Sequence, residues 1–431
     1  MNSIVSRALF ACGLALMGSG AEAQRAARPD STQVARRLIA VCGSNYGDKR
    51  TKCFQDSLNA TARAGSVTAA ISTLGVLTRL DPAIRKDDHL YAHSIGISAG
   101  SSGRPIAVVF AQCTVAFQSG CYHGVIESYF DRLRRVDSAA ITRLCAPFRT
   151  DPAQRWILFQ CVHGMGHGLT MFYQHDLRAS LASCDRLPDD WERHSCYGGA
   201  FMENIVNATM PAHPSHGLGA HGSAGSAAAG NHSVHDAHAM SGKSTSSQPF
   251  RALDANDPLY PCSIMSERYL RACYEMQTSV MLYWNGGNVA DAARTCERAP
   301  AAMRTLCHQS LGRDISSRTG QGYAESIRLC SLSAERFRPW CFIGLVKNFV
   351  DLNGRYSDGM RFCTELTREN DKMKCYEAVG EQIAALEAKE TGRRAACSTA
   401  ERSYVDVCLY GARVLASAPP ALFRINEAAQ R

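Results

Sequence analysis

Residues 330–341, CSLSAERFRPWC, decide the fold. Two cysteines close a stretch of charged and turn-forming residues, and Pro339 stands just before Trp340 and Cys341. Upstream, residues 323–332 read as a short helix that ends near Cys330. Downstream, residues 340–352 read as a second helix, with Pro339 suited to its first turn and Asn353-Gly354 suited to its close. A disulfide between Cys330 and Cys341 would staple this helical hairpin at its turn. The next unit follows the same plan, with helices expected over residues 355–366 and 374–389.

The same pairing recurs along the chain of 431 residues: Cys42 with Cys53, Cys113 with Cys121, Cys145 with Cys161, Cys184 with Cys196, Cys262 with Cys273, Cys296 with Cys307, Cys330 with Cys341, Cys363 with Cys375 and Cys397 with Cys408. From Cys262 to Cys397 the first members step by 34, 34, 33 and 34 residues. A fixed period of this size marks stacked structural repeats, and one thiol pair per repeat in an exported chain marks a disulfide in each. Closing each loop stabilises the fold by roughly 3 kcal/mol in the chain-entropy model. Alternating β-branched runs are nearly absent. The gap between Cys53 and Cys113 has room for a tenth hairpin without cysteines, around residues 76–100, whose second helix would start near Tyr91. The expected fold is an all-α solenoid of about ten helical hairpins, each contacting mainly its neighbours.

The period and hairpin plan resemble the TPR and Sel1-like class of helical repeats over residues 30–417. The resemblance is architectural. The Trp-Leu-Gly-Tyr pattern of tetratricopeptide repeats is missing, and exported Sel1-like proteins use a shorter cysteine spacing. No binding residue is carried over from either.

The N-terminus reads as a secretory signal peptide over residues 1–23, with Arg7, an apolar run over 8–18 and a small-residue cleavage site at Ala21-Glu22-Ala23. Cys12 makes a poor lipoprotein site. The remaining eighteen cysteines suit an oxidising compartment, periplasmic or secreted, and all are assigned to structural disulfides. No CxxC occurs, which argues against a thioredoxin-like site, a c-type haem or a cysteine-only zinc site. No stretch after the leader is long and apolar enough for a transmembrane helix. The net charge of +8 is modest and scattered, with no basic block, so nucleic-acid binding is not indicated. Asn59, Asn207 and Asn231 occupy glycosylation sequons that matter only in a eukaryotic secretory route.

Residues 210–253 break the period. They are rich in Gly, Ala, Ser and His, cannot bury a core, and are expected to form a disordered insert between N-terminal repeats (24–209) and C-terminal repeats (254–420), with a tail over 421–431. The insert holds His213, His216, His221, His232, His235 and His238. It reads either as a recruiter of a soft or borderline metal or as a tolerated insertion.

The sharpest functional signal comes from aligning the second helices on their cysteine, or on Tyr91. The positions two and six residues later are four apart and share one helix face. Three consecutive repeats place His93, then His123 with Glu127, then His163 with His167 on this column. Pairs of two histidines, or of His and Glu, at i and i+4 can share a metal, and stacked repeats bring equivalent helix positions side by side. Glu203 and Asn204, after Cys196-Tyr-Gly-Gly, would form the next wall. Gly124, Gly164, Gly166 and Gly168 weaken their helices and point to close backbone approach. The competing reading gives these histidines capping or packing roles. His175 and Met171 continue the stripe loosely. His89, His194 and His308 read as isolated, structural or solvated.

With the thiols locked in disulfides, the expected ligands are His93, His123, Glu127, His163 and His167, suited to a divalent transition metal: zinc or copper first, nickel or iron also admissible. Two other readings stand beside metal binding. One is a metal-dependent hydrolase or oxidase at the same site, with Glu127 or Glu203 as general base. The other is a scaffold that binds a peptide or protein in its groove, along Glu275, Gln309, Arg313, Lys347, Glu377 and Glu381. The GxSxG match at Gly96, Ser98 and Gly100 falls in a helical hairpin, where a nucleophile elbow does not form.

Overall fold

The structure, a computed structural model, describes residues 30–133, 135–209 and 250–430. The expected signal peptide and almost all of the His-rich insert, including its six histidines, lie outside the described residues. Among the described residues the chain forms 22 α-helices, a few short 3-10 turns and no strand. None of these helices is long and apolar enough to cross a membrane.

All nine disulfides join the expected neighbours, with Cα–Cα separations of 5.4–5.8 Å. In the N-terminal half Cys42 bonds to Cys53, Cys113 to Cys121, Cys145 to Cys161 and Cys184 to Cys196. In the C-terminal half Cys262 bonds to Cys273, Cys296 to Cys307, Cys330 to Cys341, Cys363 to Cys375 and Cys397 to Cys408. The second helices are Gly47–Arg63, Asp88–Gly100, Gly120–Asp131, Arg155–Phe172, Asp190–Thr209, Arg304–Arg318, Arg338–Asn353, Glu369–Leu386 and Val405–Gly411. Each carries its second cysteine, or Tyr91, in its first half or, for Cys408, at its middle, and each is named by that residue. The hairpin without cysteines is present: Val67–Leu80 precedes the Tyr91 helix, and the buried Tyr91 ring sits where the other units have a half-cystine. The unit after the insert departs from the plan. Cys262 lies in a 3-10 turn, and the second helix is split into Glu267–Tyr274, which holds Cys273, and Thr278–Trp284.

Local chemistry explains several helix ends. Asp176 accepts from the backbone N–H groups of Arg178 and Ala179, and Asn288 from that of Asp291, so both cap first helices. Pro339 stands in the first turn of the Cys341 helix, and Gly354 closes that helix in the left-handed conformation, with φ 64°.

Second helices pack on one another in chain order, and glycine sets how closely. A Cβ on Gly166 would overlap the carbonyl oxygen of Cys196, and one on Gly199 would overlap that of His163. The same reciprocal pair recurs between Gly96 and the Cys121 carbonyl and between Gly124 and the His93 carbonyl. In the C-terminal half it recurs twice more. Gly312 faces the Cys341 carbonyl while Gly344 faces that of Gln309, and Gly380 faces the Cys408 carbonyl while Gly411 faces that of Glu377. Repeats are thus joined two by two through backbone-to-backbone contacts that only glycine permits, the geometry in which Cα–H groups face carbonyls. This accounts for the GxSxG match as well. Gly96 and Gly100 face the Cys121 helix, and the Ser98 hydroxyl is bonded to the Asn59 carbonyl and to Arg63.

Each hairpin meets mainly its neighbours, as expected, but a few contacts run further. The Cys161 helix touches the Cys375 helix, and Gly354 faces Val115, so the stack curls back on itself. Pro420–Gln430 is a helix that buries Leu422, Ile425 and Ala429, and Lys374 donates to the Asn426 side chain at 2.7 Å.

Two measurements check this account. Thiol titration of the denatured, non-reduced mature chain should find none of the eighteen cysteines free, and non-reducing peptide maps should show only neighbour-to-neighbour links. Helix propensity alone favours Ala over Gly by about 1 kcal/mol, yet Gly199→Ala should lower unfolding stability by about 1–3 kcal/mol through overpacking. A stabilised Gly199→Ala in denaturant titrations would contradict the close approach.

Candidate metal centre

The centre is built where the Tyr91, Cys121, Cys161 and Cys196 helices stack. The run Cys161-Val-His-Gly-Met-Gly-His-Gly shows how. Gly164 and Gly168 turn toward Ile126 and Phe130 of the Cys121 helix, while Gly166 turns toward the Cys196 helix. With glycine on both flanks, the Cys161 helix is clamped between its neighbours, and the remaining face carries His163 and His167. The residues expected from the sequence come together there: His93, His123, Glu127, His163, His167 and Glu203 are all buried, none more than 8% exposed.

Two donor groups share one residue. One ligand atom from each of His123, His163 and His167 lies within 4.8 Å of the others, and the same holds for Glu127, His167 and Glu203. His167 is the hinge. Its Nδ1–H donates to Glu203 Oε2 at 2.9 Å, and its Nε2 lies 3.4 Å from Nε2 of His163. A carboxylate can only accept, so Glu203 fixes the His167 tautomer and leaves Nε2 as a bare lone pair. The His123 ring stacks on that of His167 with centroids 4.7 Å apart.

His93 stands outside both groups and instead donates from Nε2 to Glu127 Oε1 at 2.7 Å. The other carboxyl oxygen of Glu127, Oε2, is buried with no hydrogen-bond partner among the described residues. The sequence reading missed one member. His89 is not isolated: its ring centroid lies 5.9 Å from that of His93 and 5.8 Å from that of His123, and its Nδ1 bonds to the Phe117 carbonyl. The i, i+4 spacing of His89 and His93 was the available signal. His175 leaves the stripe, because the helix ends at Phe172 and His175 takes φ +64° in the following turn. His194 pairs with Glu275 at 2.9 Å, and His308 is a core residue stacked on Phe337 with centroids 4.8 Å apart.

Burial dominates the electrostatics. It pushes the His163 pKa down to about 3 and those of His167 and His89 to about 4. Burial and the neighbouring histidines drive His123 well below its usual value. His93 goes the other way. Burial would lower it, but the Glu127 charge and hydrogen bond, with help from Glu203, hold it above its ordinary value. His123, His163 and His167 are therefore neutral imidazoles at neutral pH, the form that binds metal.

A cleft of about 280 Å³ lies beside the centre, lined by Arg155, Trp156, Phe159 and Trp191 on one side and by Lys347, Asp351, Glu381, Gln382 and Arg413 on the other. Phe159 stacks on His163 with centroids 5.5 Å apart. Compared with known proteins, the chain matches no family model, no curated protein and no solved structure.

The histidine pKa values set a pH dependence. The unfolded chain protonates these side chains near pH 6.5, whereas folded His163, His167 and His89 resist down to about 3 to 4. Their contribution to stability is thus intact above pH 6.5 and is lost as pH falls toward 4. His93 has the opposite sign: its contribution is present below pH 6.5 and fades as pH rises through its elevated pKa. Denaturant midpoints of the metal-free chain should fall between pH 6.5 and 4.5, by about 1.4 kcal/mol per pH unit for each depressed histidine. His163→Gln should make that slope shallower; an unchanged slope would show that His163 titrates normally.

Proposed function

We propose that the chain is a periplasmic or secreted metal-binding protein whose helical hairpins, curled as a solenoid, hold a divalent transition ion through His123, His163 and His167. The observation that carries this reading is the 3.4 Å approach of Nε2 of His163 to Nε2 of His167. Two nitrogens bound at 2.0–2.1 Å to a tetrahedral ion stand about 3.4 Å apart. In the metal-free chain the Nε2–H tautomer of His163 can donate across that gap to Nε2 of His167, and once a cation displaces this proton both nitrogens are free to bind it at the spacing an ion needs. The donor set is three neutral imidazoles with a carboxylate behind one of them, which suits zinc or copper(II) and also admits nickel or iron. Nine disulfides belong to the chemistry of an oxidising compartment, which supports export.

Glu203 acts in this reading through His167, as the carboxylate that orients it. Glu127, with one oxygen on His93, is the better placed of the two for proton transfer. The cleft that meets His163 through Phe159 favours a second reading, in which the ion acts on a small molecule held between Trp156 and the Lys347–Glu381 wall. The peptide-groove reading has less support, because its column is self-paired. Lys347 pairs with Glu381 and Lys374 with Glu377, both at 2.5 Å, while Arg313 pairs with Asp314 at 2.6 Å.

The test is metal content by elemental mass spectrometry on protein exported to an oxidising compartment. The six insert histidines are replaced by glutamine so that they do not contribute. At least one divalent ion per chain is expected, and His163→Ala with His167→Ala should abolish it while leaving the helical circular dichroism in place. A metal-free protein after zinc and copper loading would overturn the reading.

A further inference from the structure

We propose that the cluster takes two divalent ions, one at each ring nitrogen of His167. This rests on the metal-binding reading above and adds a second site, formed by Glu127, Glu203 and Nδ1 of His167.

The two donor groups are distinct and meet only at His167. On the Nε2 side are the imidazoles of His123 and His163. On the other are two carboxyl groups carried by different helices, Glu127 from the Cys121 helix and Glu203 from the Cys196 helix. One carboxylate is enough to orient an imidazole, and Glu203 does so at 2.9 Å. Glu127 is not needed for that purpose, yet a ligand atom of its carboxyl group lies within 4.8 Å of donors on both His167 and Glu203. Glu127 is 1% exposed, and Oε2 has no hydrogen-bond partner among the described residues. A buried acceptor without a partner calls for a specific explanation, and a bound cation is a common one. Two buried carboxyl oxygens and an imidazole nitrogen form a hard-to-borderline donor set open to zinc, copper(II), manganese or iron(II).

The balance of the binding step is simple. The second ion takes the place of the proton on Nδ1 of His167, which leaves to solvent, and His167 then bridges the two ions as imidazolate. Two carboxylates and the imidazolate offset three of the four positive charges. His93, hydrogen-bonded to Glu127 Oε1, plays for Glu127 the orienting part that a second carboxylate would play for a histidine ligand.

The full-length chain with the six insert histidines changed to glutamine is dialysed against excess zinc, then against metal-free buffer, and analysed for bound zinc. Two ions per chain are expected, falling to one in Glu127→Gln and in Glu203→Gln. One ion per chain, unchanged in both variants, overturns the second site and leaves the first; no ion overturns both. Two ions that persist in both variants also overturn the assignment. If a variant does not fold, copper(II) loading of the unsubstituted site decides. The paramagnetic resonance of an isolated copper(II) should appear at one equivalent and collapse through coupling at two. Simple doubling of the signal at the second equivalent would place the second ion elsewhere.

Discussion

Helix backbones in this protein touch, and most of the rest follows from that contact. At Gly166 and Gly199, and again at Gly96 and Gly124, two consecutive second helices approach until a single methyl group would overlap a carbonyl oxygen. Helices separated by ordinary side chains pack 8–10 Å apart. Glycine at the crossing closes that distance, and it also fixes rotation, since each glycine must face the neighbouring carbonyl. With the Cys161 helix held so on its Cys196 side, and with Ile126 and Phe130 seated on Gly164 and Gly168 on the other, His163 and His167 point toward the face they share with His123 and Glu203. The disulfides close each hairpin at its turn but do not define the crossing between hairpins. That is the work of the glycine pairs.

The same close approach makes a polar cluster tolerable in the interior. Five imidazoles and two carboxyl groups in one buried region would ordinarily destabilise a fold, because buried polar groups need partners. Here the partners are partly supplied: Glu127 for His93, Glu203 for His167, the Phe117 carbonyl for His89. What these hydrogen bonds leave over is chemically specific. Glu203 consumes Nδ1 of His167 and leaves its Nε2 lone pair directed at Nε2 of His163. Buried networks that are complete rigidify a core. This one leaves Glu127 Oε2 without a partner among the described residues and gathers donor groups that could hold a metal.

Much of the architecture was legible in the cysteines, because covalent pairing imposes a spacing that survives any drift in the other residues. The tenth hairpin could be found without cysteines because Tyr91 fills the same buried position. The i, i+4 pairs were legible for a similar reason: a helix gives four-residue spacing a fixed meaning. His89 escaped because the alignment ran forward from Tyr91 and so began past it, although His89 and His93 show the same spacing as His163 and His167. The split second helix after the insert, the helix over Pro420–Gln430 and the contact between the Cys161 and Cys375 helices were not legible. Each depends on the angle between repeats, and small rotations at each crossing accumulate along the stack without leaving a periodic mark.

The two halves of the stack solve the same problem differently. The column that carries histidines in the N-terminal repeats carries acids and bases in the C-terminal ones, where Lys347 meets Glu381, Lys374 meets Glu377, and Arg313 meets Asp314. Opposite charges satisfy one another, Lys347 and Glu381 across adjacent helices and the other two pairs within one helix, and leave little to offer a ligand. Neutral imidazoles cannot do this. Even where one donates to a carboxylate, as His167 does to Glu203, it keeps a lone pair once its ring proton is donated. Replacing ion pairs by histidines along an otherwise equivalent column therefore converts a self-neutralising seam into one with surplus donors. Because the stack curls, the Lys347–Glu381 seam forms the far wall of the cleft in which Phe159 covers His163. The curl sets the charged half against the donor-rich half, with the cleft between them.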